Sequence, residues 1–277
     1  PAIMITGGPM LNGRNHGEAV GSGTLVWKYS EQVRSGKITF EEFMAMESCS
    51  ARSQGSCMTM GTASTMTSAT EALGLSLSGF ASIPASDSRH SQMASMTGRR
   101  IVEMAWEDLK PSDILTRASF DNAMSTVLAL AGSTNSVVHM IAVSRRAGFP
   151  LTLDHIDALA RKVPVLANLR PAGEYLMEDF YYAGGLRALL KQLSPLLDLT
   201  QQTVDGKSLG ELISEAKVFK PEVIRSLDNP LVASDSLAIL KGNLAPDGAV
   251  IKPPAAESHL LKHTGKAVVF KNYDDLS

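Results

Sequence analysis

Phe120, Ala123, Met124, Val127, Leu128 and Ala131 recur at i, i+3, i+4, i+7, i+8 and i+11, and nothing else in this chain restricts its folding as much. Apolar side chains at that spacing share one stripe of a helix, which other elements must cover. Gly132 breaks the helix, and Ser133-Thr134-Asn135 offers capping side chains for another. Residues 136–147 are apolar on nearly every side, which predicts a second helix that is central and buried. Composition agrees, with 44% hydrophobic but only 5% aromatic residues, a mix suited to closely packed helices.

Further elements follow from local signals. Ala2 to Thr6 is a short apolar run ending at Gly7-Gly8 and predicts a buried strand. Residues 7–23 are glycine-rich and predict a long ordered loop. Gly21-Ser22-Gly23 lacks the third glycine of a dinucleotide fingerprint. Thr39 with Glu42 three residues on has capping-box spacing, predicting a helix to about Ser48. Gly61 to Leu73 predicts a helix with Ala63, Met66, Ala69 and Leu73 inward and Gly74 past its end. A longer helix is expected from Ser88 to Leu109, with Ile101, Met104, Ala105 and Leu109 on one face and Lys110-Pro111 stopping it. Helices are also expected near 154–161, 184–193 and 208–215.

After Asp228-Asn229-Pro230 the pattern changes to short runs at Leu237–Leu240, Ala249–Ile251 and Ala267–Phe270. The expectation is an α/β protein: a helix-rich α/β domain over 1–230, then the beginning of a β-rich unit over 231–277.

Net charge is −2, from 26 basic and 28 acidic residues, so no electrostatic footprint for nucleic acid or an anionic membrane is present. Apolar runs such as Val127–Ala131 are far too short to span a bilayer. With two cysteines and no secretory pattern, a cytoplasmic location is expected. The chain opens without Met, as a piece of a longer one would.

Few residues suggest chemistry. A lone Cys is most often a small buried hydrophobe. Cys57, however, directly precedes a helix start, where unpaired N–H groups and the helix dipole favour the thiolate that a metal or cluster needs. Cys49 has no such setting, and a spacing of eight positions between the two fits no common zinc motif. Gly61-Thr62-Ala63-Ser64-Thr65 and Ser133-Thr134-Asn135 could each receive a carboxylate or phosphate through Thr62, Ser64, Thr65, Ser133, Thr134 and Asn135 and their N–H groups. Plain N-capping explains them as well. His16, near Arg14 and Asn15, fits a cleft edge and a solvated loop equally. His139 reads as a core histidine, and Asp87, Glu178, Asp179 and Asp228 as isolated or surface carboxylates.

The string Glu47-Ser-Cys-Ser-Ala-Arg-Ser-Gln-Gly-Ser-Cys57-Met-Thr-Met-Gly-Thr-Ala-Ser-Thr-Met66 strongly resembles the third cluster-cysteine region of the dihydroxyacid/phosphogluconate dehydratase family. Ile5-Thr-Gly-Gly-Pro-Met10, Glu71-Ala-Leu-Gly-Leu75, Ser82-Ile-Pro-Ala85, Gly132-Ser-Thr-Asn135, Leu227-Asp-Asn-Pro230 and Gly242-Asn-Leu-Ala-Pro-Asp-Gly248 agree in order across nearly the whole chain. Gly98-Arg-Arg-Ile-Val102, Tyr175-Leu-Met-Glu-Asp-Phe180 and Tyr182-Ala-Gly-Gly-Leu-Arg-Ala-Leu189 are similar to the subgroup acting on pentonates such as arabinonate or xylonate.

The resemblance implies an α/β domain followed by a β-barrel, with the active site between them. It implies a [2Fe-2S] cluster, or [4Fe-4S] in some members, held by three cysteines. It also implies a Mg²⁺ held by carboxylates and a carbamylated lysine. The reaction implied is loss of water from a 2,3-dihydroxy acid to give a 2-keto-3-deoxy acid, with cluster iron as Lewis acid and a serine alkoxide as base. Of these residues only Cys57 maps onto this sequence. The other cluster cysteines and the Asp and Lys of the Mg²⁺ site are expected upstream of Pro1. The serine and the last Mg²⁺ carboxylate are expected downstream of Ser277. No catalytic residue is therefore expected within the chain, which alone should be inactive and cluster-free. The resemblance further implies a homodimer or homotetramer. The alternatives are a dihydroxyacid dehydratase of branched-chain amino-acid synthesis and, in another class, a non-catalytic homologue or interaction module.

Overall fold

The molecule is organised around the helix that the sequence marks most strongly. In the structure, a computed structural model, residues 1–21 and 24–276 are described; Ser22 and Gly23, the end of the expected 7–23 loop, and Ser277 lie outside the described residues. In chain order come β1 (Gly13–Asn15), β2 (Glu18–Val20), α1 (Thr24–Arg34), α2 (Phe40–Ser50), α3 (Thr62–Ala72), α4 (Ser88–Trp106), α5 (Pro111–Ile114) and α6 (Arg117–Ala129). Then follow α7 (Asn135–Arg146), α8 (Leu153–Ala160), α9 (Met177–Tyr182), α10 (Gly185–Leu193), α11 (Leu209–Ile213), β3 (Ala238–Gly242), β4 (Ala245–Ile251) and α12 (Tyr273–Leu276).

α6 is the hub. Phe120, Ala123, Met124, Val127 and Leu128 are all fully buried, and α3, α7, α8 and α10 pack around them. Thr116 caps its first turn through the Ser119 N–H at 3.1 Å. Burying so many apolar side chains supplies the main driving force for this body. α2 starts as expected: the Glu42 N–H donates to Thr39 Oγ1 at 3.1 Å while the Thr39 N–H donates to Glu42 Oε2 at 2.7 Å. The helices near 154–161, 184–193 and 208–215 are α8, α10 and α11.

Several expectations are corrected. Ala2–Thr6 is not a strand: no neighbouring strand pairs with it, its Met4 N–H reaches Leu75 O at 2.8 Å, and Met4 and Ile5 are exposed. The loop over 7–23 contains a hairpin, β1 against β2, turned by His16 and Gly17. Both turn residues have positive φ (47° and 89°), as a two-residue turn of matching twist requires. Its three-residue strands are too short to show alternation. α7 is not central: Val138, His139, Ala142 and Val143 face outward while Val137 and Met140 face α6. α3 keeps most of the expected face, with Ala69 and Leu73 buried and Met66 against the core, but Ala63 is exposed and Thr65, Ser68 and Ala72 are inward as well. The inner hydroxyl of Thr65 is tolerated because it bonds backward along the chain, to Gly61 O at 2.8 Å. α4 ends at Trp106, with Ala105 exposed, and Pro111 opens α5.

The late runs pair once: β3 and β4 form an antiparallel hairpin with Ala238 opposite Ile251 and an irregularity between Leu240 and Gly242. Residues 267–270 form no strand, and Val268 and Val269 are exposed. Among the described residues helices dominate, two two-stranded sheets are present, and no barrel closes, as in an α/β fragment. None of the described helices is long and apolar enough to cross a membrane.

Candidate functional site

Cys57 leaves a short extended pairing. The Ser56 N–H donates to Gly8 O at 2.9 Å and the Met10 N–H to Ser56 O at 2.8 Å. This approach needs glycine twice. Gly55 has φ 129°, and a Cβ there would lie 2.5 Å from Met10 N; Gly8 has φ 76°, and a Cβ there would lie 2.5 Å from Ile83 O. Beyond Cys57 the chain is pinned by Met58 and Met60, both fully buried. The Met177 N–H donates to Met58 O at 2.8 Å, and the Met60 N–H to Arg170 O at 2.9 Å.

Between these anchors the Cys57 thiol is half-buried, not sealed in hydrocarbon. Its Sγ lies 2.9 Å from Thr59 Oγ1 and accepts the Thr59 N–H at 3.5 Å, so Thr59 sets its direction. Ser64, inside the first turn of α3, donates to Cys57 O at 3.5 Å. Cys49 is turned back on its own helix, its Sγ on Ala45 O at 3.3 Å.

The two helix starts singled out in the sequence meet. Thr62 Oγ1 lies 2.9 Å from Ser133 Oγ, Asn135 Nδ2 donates to Thr62 Oγ1 at 3.0 Å, and the Ser133 N–H donates to Thr65 Oγ1 at 3.0 Å. The N-termini of α3 and α7 are thus side by side, joined through their own hydroxyls. Gly132 permits the approach, since a Cβ there would lie 2.7 Å from Thr65 Cγ2. Thr134 stands at the N-cap of α7 without a side-chain capping bond. These mutual bonds account for the cluster as helix packing; part-exposed Thr62 and Ser133 still present oxygen atoms to a polar ligand. His16 is not brought to this cluster; it sits exposed at the tip of the β1–β2 hairpin.

Sequence reading missed a third group. Asn12 is fully buried; its N–H donates to Glu178 Oε2 at 2.7 Å and its Nδ2 to Asp179 Oδ2 at 2.9 Å. This ties the glycine-rich loop to α9, next to the Met58–Met177 contact. No local signal could have shown it, since the partners lie 166 and 167 residues apart.

No three His, Cys, Asp or Glu among the described residues form a metal-holding group. A partly exposed thiol among polar neighbours has the softness and access that iron requires, so Cys57 fits as one ligand of a cluster, and this chain alone does not complete the set.

Residues 1–212 match the dihydroxy-acid/6-phosphogluconate dehydratase N-terminal model, and residues 222–277 match the C-terminal model. The chain belongs to the dihydroxy-acid/6-phosphogluconate dehydratase family. Relatives in this family include an L-arabinonate dehydratase of Rhizobium leguminosarum bv. trifolii, 50% identical over 99% of this chain and 48% of its own length. A 6-deoxy-6-sulfo-D-gluconate dehydratase of Pseudomonas putida is 46% identical over 100% of this chain and 48% of its own length. A dihydroxy-acid dehydratase of Caldicellulosiruptor bescii is 43% identical over 100% of this chain and 50% of its own length. The chain therefore spans about half the length of the curated relatives it matches.

Proposed function

We propose that this chain is part of a hydro-lyase that converts a 2,3-dihydroxy sugar acid, a pentonate in the first instance, to its 2-keto-3-deoxy acid. The observation that carries the reading is the higher identity to the sugar-acid dehydratases, 50% and 46%, than to a dihydroxy-acid dehydratase, 43%, over the same residues. Cys57 would hold one iron of a cluster, [2Fe-2S] or alternatively [4Fe-4S], with its remaining ligands supplied by residues outside this chain. When bound, the cluster supplies a Lewis-acidic iron for the departing hydroxyl.

This chain's own residues prepare that seat. Thr59 orients the sulfur. Met58 and Met60 fix the backbone on either side. Thr62 and Ser133 offer hydroxyl groups, and Asn135 the second hydrogen of its side-chain amide, to an acid's carboxylate near two positive helix ends. No group in the chain is assigned to proton transfer at carbon or to Mg²⁺, which the proposal places elsewhere in the full enzyme. The reading includes a cytoplasmic homodimer or homotetramer.

The test is a substrate screen on the complete protein purified without oxygen. Turnover of L-arabinonate or D-xylonate above 2,3-dihydroxyisovalerate is expected, and Cys57→Ser should lower iron and labile sulfide along with activity. Preference for 2,3-dihydroxyisovalerate would move the enzyme to branched-chain synthesis. Absence of turnover on all three, with iron unaffected by Cys57→Ser, would make it a non-catalytic homologue. The 277-residue chain by itself should carry no stoichiometric iron.

A further inference from the structure

Thr59 is 7% exposed, so its hydroxyl is largely out of reach of bulk water. Its Oγ1 lies 2.9 Å from Cys57 Sγ, and its own N–H reaches the same sulfur at 3.5 Å. A thiol and a hydroxyl share a hydrogen in either direction. An iron-bound sulfur carries no proton and only accepts. Cys57 in that state would take two hydrogen bonds from one residue, the shorter from the hydroxyl. The other hydroxyl at Cys57, that of Ser64, goes to the carbonyl and not to the sulfur.

The fold decides which side of Thr59 carries the oxygen. A Cβ on Gly21 would stand 3.4 Å from Thr59 Cγ2 and 3.0 Å from Leu176 Cδ2, so the methyl lies on the side lined by the fully buried Leu176. Exchanging methyl and hydroxyl would turn the oxygen towards hydrocarbon, which costs free energy unless a partner is found there. A β-branched side chain has few other rotamers to adopt. The backbone is held as firmly. The Gly61 N–H donates to Thr59 O at 2.8 Å, and the residues on either side, Met58 and Met60, are tied to Met177 and Arg170.

We propose that Thr59 is a positioning residue that tunes the cluster through Cys57: its hydroxyl donates to the iron-bound sulfur and draws charge away from the sulfur–iron bond. The inference rests on the reading of Cys57 as a cluster ligand and adds a residue to it. Hydrogen bonds to ligand sulfurs help to set a cluster's reduction potential. The sign follows from charge. Reduction adds an electron, a donor at the sulfur stabilises the more negative state, and the potential therefore rises. A hydrogen bond shielded from water acts more strongly than an exposed one. The same withdrawal of charge leaves the iron a stronger Lewis acid.

The cluster's reduction potential tests it, measured on the complete protein purified without oxygen, alongside iron and labile sulfide. Thr59→Val keeps the shape and loses the donor. It should shift the potential to more negative values and the sulfur-to-iron charge-transfer absorption to longer wavelength, at unchanged iron content. Thr59→Ser keeps the hydroxyl and should stay closer to wild type than to Thr59→Val in both readouts. Equal potentials and spectra in wild type and Thr59→Val overturn the inference. So does Thr59→Ser shifted as far as Thr59→Val, because packing of the methyl would then be the cause. If Thr59→Val does not assemble the cluster, Thr59→Ala against Thr59→Ser decides: the two differ only in the hydroxyl, and equal potentials count against the tuning. Wild-type protein without iron overturns the cluster reading itself, whereas iron-loaded protein with an unmoved potential overturns only the role of Thr59.

Discussion

Gly7 and Gly8 are neighbours in sequence with opposite demands. Gly8 has φ 76°, and an added Cβ would meet Ile83 O at 2.5 Å and Ala85 N at 2.8 Å; an added Cβ on Gly7 would meet nothing within 4 Å. Gly8→Ala should therefore cost more than about 1 kcal/mol, while Gly7→Ala should be neutral or slightly stabilising by narrowing the unfolded chain. Urea denaturation of the pair checks this, and equal midpoints would show that the close approach of Gly8 to Ile83 and Ala85 is not needed for the fold. The motif containing both glycines was legible as a pattern, but not which of the two is constrained. The same holds for the site. The place of Cys57 ahead of α3 was legible because it depends on nearby residues, but the partner of its sulfur, Thr59 rather than the amides of the helix start, was not. Asn12 was not, because its partners Glu178 and Asp179 arrive from α9 and carry no spacing signal.

Among the helices, α6 reads as one apolar stripe and α7 as apolar on nearly every side, yet only α6 is enclosed. Periodicity reports which side of a helix avoids water; it does not report how many neighbours the chain can bring to it. α6 receives α3, α7, α8 and α10, which leaves α7 on the outside with Val138 69% exposed. On α3 the expected face is met by Met66, Ala69 and Leu73 but not by Ala63, because small polar residues share the inner side, where a hydroxyl can bond back along the chain, as Thr65 Oγ1 does to Gly61 O at 2.8 Å. Met124→Ala in α6 should cost about 2–5 kcal/mol through the cavity it leaves. Val138→Asp should stay within about 0.5 kcal/mol. Thermal or urea unfolding of the chain distinguishes them, and comparable losses would mean that α7 is covered in solution.

At the scale of the whole molecule the question is how the β3–β4 hairpin belongs to the helical body. The connecting stretch remains bonded to that body, with the Leu231 N–H on Val165 O at 2.8 Å and the Asp235 N–H on Ala160 O at 2.9 Å. The hairpin itself rests on α8. Lys241 Nζ is 2.6 Å from Asp154 Oδ1, but both side chains are more than half exposed, so this pair contributes little. Packing at Gly248 is the stronger tie: φ is 112°, and a Cβ would stand 2.8 Å from Leu153 Cδ1. Gly248→Ala should therefore loosen the hairpin far more than Lys241→Ala. Amide exchange reads the outcome by region. If protection falls across 238–251 in Gly248→Ala while the amides of α6 stay as slow as before, the hairpin opens as its own cooperative unit, in keeping with the separate family models that meet residues 1–212 and 222–277. Equal loss in α6 would instead make hairpin and helices a single unit, because strain introduced at Gly248 would then have been shared with a core that it does not touch.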